Sequence, residues 1–257
     1  MKIATWNVNS LKVRLPQVLD WLATARPDVL CLQETKLADE YFPAGEIEAA
    51  GYSVVFSGQK TYNGVATISA QPATDVITDI PGLDDPQRRI LGTTIDGVRV
   101  LNLYVVNGQE VGSEKYAHKL RWLDRVSEYL QAQLQRHTRL VVLGDFNIAP
   151  EDRDVHDPEA WRERILCSTP EREALRKILD LGLADIFRLF EQEEKSFSWW
   201  DYRAAAFRRN MGLRIDLILA SRALSATCTA CYIDTEPRKL ERPSDHTPVI
   251  AEFSGMR

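Results

Sequence analysis

Apolar residues along the chain fall into two kinds of pattern, short continuous runs and longer spaced stripes, and the two alternate. Ile3 to Val8 reads as a strand, and Leu11, Leu15, Val18, Leu19 and Leu22 then share one face of an amphipathic helix. Val29 to Leu32 is a continuous apolar run, as expected of a buried strand, and it stops at Gln33-Glu34-Thr35. Tyr52 to Phe56, Val65 to Ser69, Ile90 to Thr94 and Val98 to Tyr104 follow with turns between them and predict a meander of antiparallel strands. Tyr116, Leu120, Leu123, Val126, Leu130 and Leu134 mark a second long helix, and Leu140 to Leu143 is another buried strand, ending in Gly144-Asp145-Phe146-Asn147. Ser168, three residues before Glu171 with Pro170 between them, predicts a capping-box helix start, and Gly182 its stop. Phe197 to Trp200, Arg214 to Ala220 and Val249 to Phe253 supply the last strands. Two sets of strands, each covered by helices, predict an α/β fold of two packed sheets with helices on their outer faces.

Composition narrows this picture. A chain of 257 residues with 44% hydrophobic and 27% charged positions can bury a core without disulfides, and no Gly/Ser tract divides it, so one domain is expected over 1–257. Lys and Arg number 32 against 37 Asp and Glu, a net charge of -5, which disfavours binding of a polyanion through bulk charge and leaves a local basic surface or a metal. No apolar run approaches the roughly 20 residues that cross a bilayer, and the chain opens directly into strand-like sequence, so a soluble, cytoplasmic protein without membrane contact is expected. Cys228 and Cys231 have a C-x-x-C spacing with no second pair to complete a zinc site; they read as buried or incidental thiols, with redox or metal use as the alternative.

Several apolar strands end in, or carry, polar groups that a core would not choose: Trp6-Asn7-Val8-Asn9, Gln33-Glu34-Thr35, Asp145-Phe146-Asn147 and Ile215-Asp216-Leu217, with Ser244-Asp245-His246 before the final strand. Strand alternation places Asp216 on the face opposite Leu217 and Leu219, where an unpaired carboxylate is costly, so a partner is expected. His246 is one candidate, and backbone N–H groups or Arg214 are the alternative. Glu34, Asp145, Asp245, Asn7 and Asn147 form an oxygen-rich set that suits Mg²⁺ or Mn²⁺ better than Zn²⁺ and matches phosphodiester cleavage, although each acid alone also reads as a turn or cap residue. Trp199-Trp200-Asp201-Tyr202-Arg203 and Phe207-Arg208-Arg209-Asn210 interleave rings and cations, as a surface holding phosphates and bases does, while two adjacent tryptophans equally suit a core. Tyr104 with Asn107 offers a hydroxyl and an amide to phosphate, and Arg88-Arg89 reads as a solvated charge pair or a further contact.

These motifs, in this order and spacing across essentially the whole chain, resemble the exonuclease III family of DNA repair enzymes, the class II apurinic/apyrimidinic endonucleases of the deoxyribonuclease I-like superfamily. The resemblance implies a four-layered α/β sandwich with the active site at one end of its two sheets. It implies that Glu34, helped by Asn7, holds a catalytic Mg²⁺ (Mn²⁺ substituting), with Asp245 binding directly or through water and Asp145, Asn147 and His246 completing the metal's surroundings. Asp145 is expected to activate the attacking water, Asn147 to bind the scissile phosphate, Tyr104 to donate to it, and His246, oriented by Asp216, to favour the transition state. Arg88, Asn107, Trp200, Arg203, Arg208 and Arg214 are the implied DNA contacts. The implied substrate is double-stranded DNA with abasic sites, nicks or blocked 3′ ends, cleaved by a monomer. Tyr104-Val105-Val106-Asn107-Gly108 lacks the proline common after this tyrosine, and loops near 150–170 and 200–212 build the pocket for an abasic sugar. The rival readings are a member restricted to 3′ ends, a superfamily phosphodiesterase on another substrate, and a scaffold without turnover.

Overall fold

In chain order the strands are β1 (Lys2–Asn7), β2 (Val29–Gln33), β3 (Ser53–Ser57), β4 (Val65–Ser69), β5 (Thr74–Ile77), β6 (Ile90–Ile95), β7 (Val98–Tyr104), β8 (Leu140–Asp145), β9 (Leu183–Asp185), β10 (Trp199–Trp200), β11 (Gly212–Leu213), β12 (Asp216–Ser221), β13 (Cys228–Ile233) and β14 (Val249–Phe253). The helices are α1 (Leu11–Ala25), α2 (Ala44–Ala49), α3 (Glu114–Arg136), α4 (Pro158–Trp161), α5 (Thr169–Leu179) and α6 (Arg222–Ser225). This computed structural model describes residues 1–83 and 85–255, and no helix among them is long and apolar enough to cross a membrane.

One sheet has the order β13-β14-β1-β2-β4-β3 and the other β5-β6-β7-β8-β12-β9, with β10 and β11 paired apart. Alternation along each strand divides the apolar residues into three layers of packing. Val141, Leu143 and Ile218 of the second sheet meet Ile3, Val29 and Cys31 of the first between the sheets. Trp6, Leu30 and Ile68 face outward and take the apolar stripe of α1, while Leu101, Val142 and Leu217 take Trp122, Val126, Leu175 and Ile178 of α3 and α5. The fold is thus the expected sandwich, helices on both outer faces of two mixed sheets.

Three expectations are corrected. The four strands between 52 and 104 are not one meander: β3 and β4 pair in the first sheet and β6 and β7 in the second, because β2 takes the free edge of β4 while β5 takes that of β6. The run from Arg214 to Ala220 is broken, because the Arg214 N–H is diverted to the Asp154 carbonyl, and β12 begins at Asp216. The strand expected over Phe197 to Trp200 is only Trp199–Trp200. The capping box forms as expected, with the Glu171 carboxylate accepting from the Ser168 N–H and Oγ. All four cysteines are free, and burial pushes the thiols of Cys31 and Cys167 up to about 12, which leaves them unreactive.

A polar layer pins the two sheets together near one end. Gln33 Nε2 donates to Asn102 Oδ1 at 2.7 Å and to Thr5 Oγ1, and Asn102 Nδ2 reaches across to the carbonyls of Leu32 and Ala66. Beyond this layer the parallel strands β1, β2, β7 and β8 end together, and β12 begins beside them.

Candidate active site

The strand ends converge on one buried group of side chains. Asp145 closes β8 and Asp216 opens β12, and the register sets them directly opposite each other on the inter-sheet face. Two carboxylates so placed repel unless something of opposite charge lies between them. His246 fills that role: its Nδ1 lies 2.8 and 3.1 Å from the two Asp216 oxygens, and its Nε2 lies 3.7 Å from Asp145 Oδ2. Ser198 Oγ donates to Asp216 Oδ2 at 2.6 Å and accepts from the N–H groups of Ile215 and Asp216, so the acid is held as an acceptor. The Arg214 alternative is excluded, since that guanidinium binds Asp154 and Asp185.

Asn7, at the end of β1, spans the gap to the first sheet. Its Nδ2 donates at 2.9 Å both to Glu34 Oε1 and to Asp145 Oδ2. Glu34 follows β2 with φ 52°, in the left-handed region that a non-glycine residue enters only at a cost of about 1–2 kcal/mol. That turn points its carboxylate back into the cleft, where Lys36 Nζ lies 2.9 Å from Oε2. Donor atoms of Glu34, Asp145 and His246 lie within 4.8 Å of one another, close enough to coordinate one divalent cation.

The electrostatics follow from burial and neighbours. Burial penalises the Glu34 charge, but Lys36 and the Asn7 amide hold its carboxyl below the ordinary value. Burial pushes Asp145 up to about 7, with His246 opposing and Asp216 and Glu34 adding to the push. For His246, burial works against the imidazolium, yet Asp216 and Asp145 together hold it up to about 10. In the metal-free protein His246 thus holds its proton more firmly than Asp145 does. Burial and the Glu34 and Asp145 carboxylates raise the Tyr104 phenol well above its usual value, which keeps it a donor, and the Arg89 guanidinium lies 4.6 Å over its ring.

Asn147 has φ 50° and turns its amide nitrogen toward Asp145 Oδ2, while its Oδ1 accepts from Asn107 Nδ2 at 3.0 Å. Its oxygen thus faces the Asn107 amide and its nitrogen the Asp145 carboxylate. Asp245 stands apart from the Glu34–Asp145–His246 cluster; its oxygens accept from Asn9 Nδ2 and Trp199 Nε1. Beside Trp199, Val155, Leu166, Leu213 and Ile215 pack into a buried apolar cluster.

Two expected DNA contacts are corrected. Trp200 is buried against Phe197, Ala206 and Phe207, and it is Trp199 that reaches the site. Arg214 is 1% exposed and fully committed to two carboxylates. Arg88 and Arg208 are exposed, Arg203 is exposed and paired with Asp201, and Asn107 stands at the rim of the site. Ser198, Lys36 and Lys119 were not singled out from the sequence, and Asn9 and Trp199 only as parts of their motifs. Asn9 joins Asp245 to Lys36, whose Nζ lies 2.5 Å from its Oδ1. Lys119 is fully buried beneath the site, donating to the carbonyls of Asn107 and Asn147 and to Glu171. Its signal was a lysine on the apolar stripe of α3, three residues after Tyr116 and four before Leu123.

Comparison with known proteins agrees with this geometry. The profile of the endonuclease/exonuclease/phosphatase family matches residues 4–246. The chain is 36% identical to exodeoxyribonuclease III of Haemophilus influenzae over 98% of its own length and 100% of the relative. A Neisseria 3′ phosphatase solved with a product DNA hairpin superposes with a TM-score of 0.97 at 51% identity, covering 99% of each chain. An Archaeoglobus fulgidus AP endonuclease superposes at 0.95 with 42% identity, again over 99% of each.

Proposed function

The chain belongs to the endonuclease/exonuclease/phosphatase family, in its exonuclease III branch, and on that premise we propose that it is a Mg²⁺-dependent nuclease that repairs duplex DNA at abasic sites and blocked 3′ ends. The observation that carries this reading is the charge-alternating row Asp216–His246–Asp145 joined through Asn7 to Glu34. Glu34 and Asp145 are hard oxygen donors at a spacing fixed by Asn7, which fits Mg²⁺. When bound, the ion neutralises phosphate charge and favours hydroxide over water.

The protein's own groups supply the rest. Asp145 accepts the proton of the attacking water, being the carboxylate held between the Asn7 amide and His246 Nε2. His246, kept charged by Asp216, donates through Nε2 to a phosphate oxygen, and the Tyr104 phenol donates from the side of β7. Asn147 and Asn107 present amide groups to the same phosphate.

Matched duplexes carrying an internal abasic analogue, a recessed 3′-hydroxyl and a nick with a 3′-phosphate, each with Mg²⁺ or EDTA, test this reading. Mg²⁺-dependent incision at the abasic site together with 3′-end processing is expected. Turnover undiminished by EDTA would refute it. A second reading, activity confined to 3′ ends, is favoured by the higher identity to the 3′ phosphatase than to the AP endonuclease; cleavage of both 3′ substrates with the abasic duplex intact would select it.

A further inference from the structure

The segment 241–244, which delivers Asp245 and His246 to the cleft, belongs to no helix or strand, yet each of its carbonyls has a donor. Gln17 Nε2 donates to that of Glu241 at 2.8 Å and Arg14 Nε to that of Arg242 at 3.1 Å. Arg14 Nη2 and the Tyr202 hydroxyl both donate to the Pro243 carbonyl at 2.9 Å, and Arg238 Nη1 donates to that of Ser244 at 2.7 Å. Backbone N–H groups are the commonest donors to a carbonyl. Here side chains from three separate parts of the chain do that work, and α1 supplies two of them.

Arg14 differs from the other donors because its guanidinium also reaches the opposite side of the site, where Nη1 donates to the Asn9 carbonyl at 2.5 Å. Asn9 and Ser10 both have left-handed backbone, with φ 42° and 91°, a turn that two successive non-glycine residues keep only when their surroundings hold it. From that turn the Asn9 amide donates to Asp245 Oδ1 at 2.9 Å, and its oxygen accepts from Lys36, which faces Glu34. One planar cation thus bridges the turn after β1 and the loop before β14. All four acceptors of Arg14 are neutral oxygens, the fourth being the Tyr202 hydroxyl at 3.1 Å, so the fold uses the fixed fork of the guanidinium and not an ion pair.

We propose that Arg14 is a positioning residue for the reaction: it holds the Asp245–His246 loop against the Asn7–Asn9 turn and so fixes His246 relative to the Glu34 side of the cleft. The proposal rests on the reading of the protein as a nuclease, in which His246 acts on the phosphate. A lysine keeps the charge but cannot bond both loops through one rigid plane, so Arg14→Lys separates geometry from charge.

Amide exchange, single-turnover rates and steady-state kinetics on the abasic and recessed 3′ duplexes test it, for Arg14→Lys alone and combined with His246→Ala. Exchange across 241–247 should quicken about tenfold, the worth of one lost hydrogen bond. The single-turnover rate should fall about 10- to 100-fold with KM within about twofold, the signature of misplaced groups and not of weaker binding. With His246→Ala already present the same change should cost less than about threefold, because the side chain it positions is gone. General damage to the fold would multiply in both backgrounds. Exchange or rate equal to wild type, a loss carried by KM, or equal losses in both backgrounds overturns the proposal. Wild type that cuts no duplex with Mg²⁺ overturns the nuclease reading instead, with the exchange result still deciding whether Arg14 holds the loop.

Discussion

His246 shows what single side chains contribute here. Between two carboxylates set opposite each other by strand register, it is held charged by their field and aimed by the Ser198–Asp216 hydrogen bond. Asp216→Asn keeps the shape and removes the charge, so the imidazole loses both its field and its fixed tautomer. A fall in kcat of about 10³–10⁴ is expected, by analogy with the loss of the orienting acid in other triads; single-turnover rates within tenfold of wild type would refute the role. Arg214 has the opposite character. Its guanidinium satisfies buried Asp154 and Asp185, so Arg214→Ala should destabilise the fold by about 3–5 kcal/mol in urea titration. DNA affinity of the variant that remains folded should be close to wild type. The sequence could not separate these two residues, since Asp216 and Arg214 are neighbours in one motif. Pairing of β10 with β11 likewise decides which of Trp199 and Trp200 faces the site, and a two-residue strand has no periodicity to read.

Elements meet at the Lys119–Glu171 pair. Lys119 projects from α3 and Glu171 from the first turn of α5, 2.5 Å apart with both side chains fully buried, and their remaining bonds hold the Asn107, Asn147 and Leu166 backbones. One ion pair thus sets the spacing of two helices, the backbone at Asn107 and Asn147 and the packing at Leu166. Lys119→Met strands the Glu171 charge and should cost about 3–5 kcal/mol. Adding Glu171→Gln should recover part of that stability by removing the stranded charge, while the amides stay displaced and kcat stays low. Recovery of kcat in parallel with stability in the double variant would reduce the pair to a plain structural one. Element types were legible along most of the chain because the α1, α3 and α5 stripes and the β1, β2 and β8 runs are long and regular. The splitting of residues 52–104 between two sheets was not, because edge pairing is a non-local choice that leaves no local pattern. The site was legible for a different reason: polar residues at the ends of apolar strands are out of place unless they work together.

At the scale of the whole molecule, charge is the open problem, since a net charge of -5 opposes DNA at long range. Affinity must come from a restricted surface, and the segment from Arg203 to Asn210 exposes several cations. Arg208 is exposed there. The segment is anchored from below by Arg238, whose guanidinium lies 4.9–5.9 Å from the ring centres of Phe207, Tyr202 and Trp200 and donates to the Ser244 carbonyl at 2.7 Å. Ser244 in turn adjoins Asp245 and His246, so the exposed cations and the catalytic loop share one support. If Arg208 meets backbone phosphate, Arg208→Ala should weaken binding equally on duplexes of unrelated sequence and lower the slope of log K against log salt by about 1. Its effect on stability should stay within about 0.5 kcal/mol, because the side chain is on the surface. Fluorescence anisotropy over a salt series on several duplexes measures both quantities. A loss that depends on sequence would place Arg208 on a base edge, and an unchanged salt slope would remove it from the interface, leaving the attraction to DNA with the metal and the cations around the cleft.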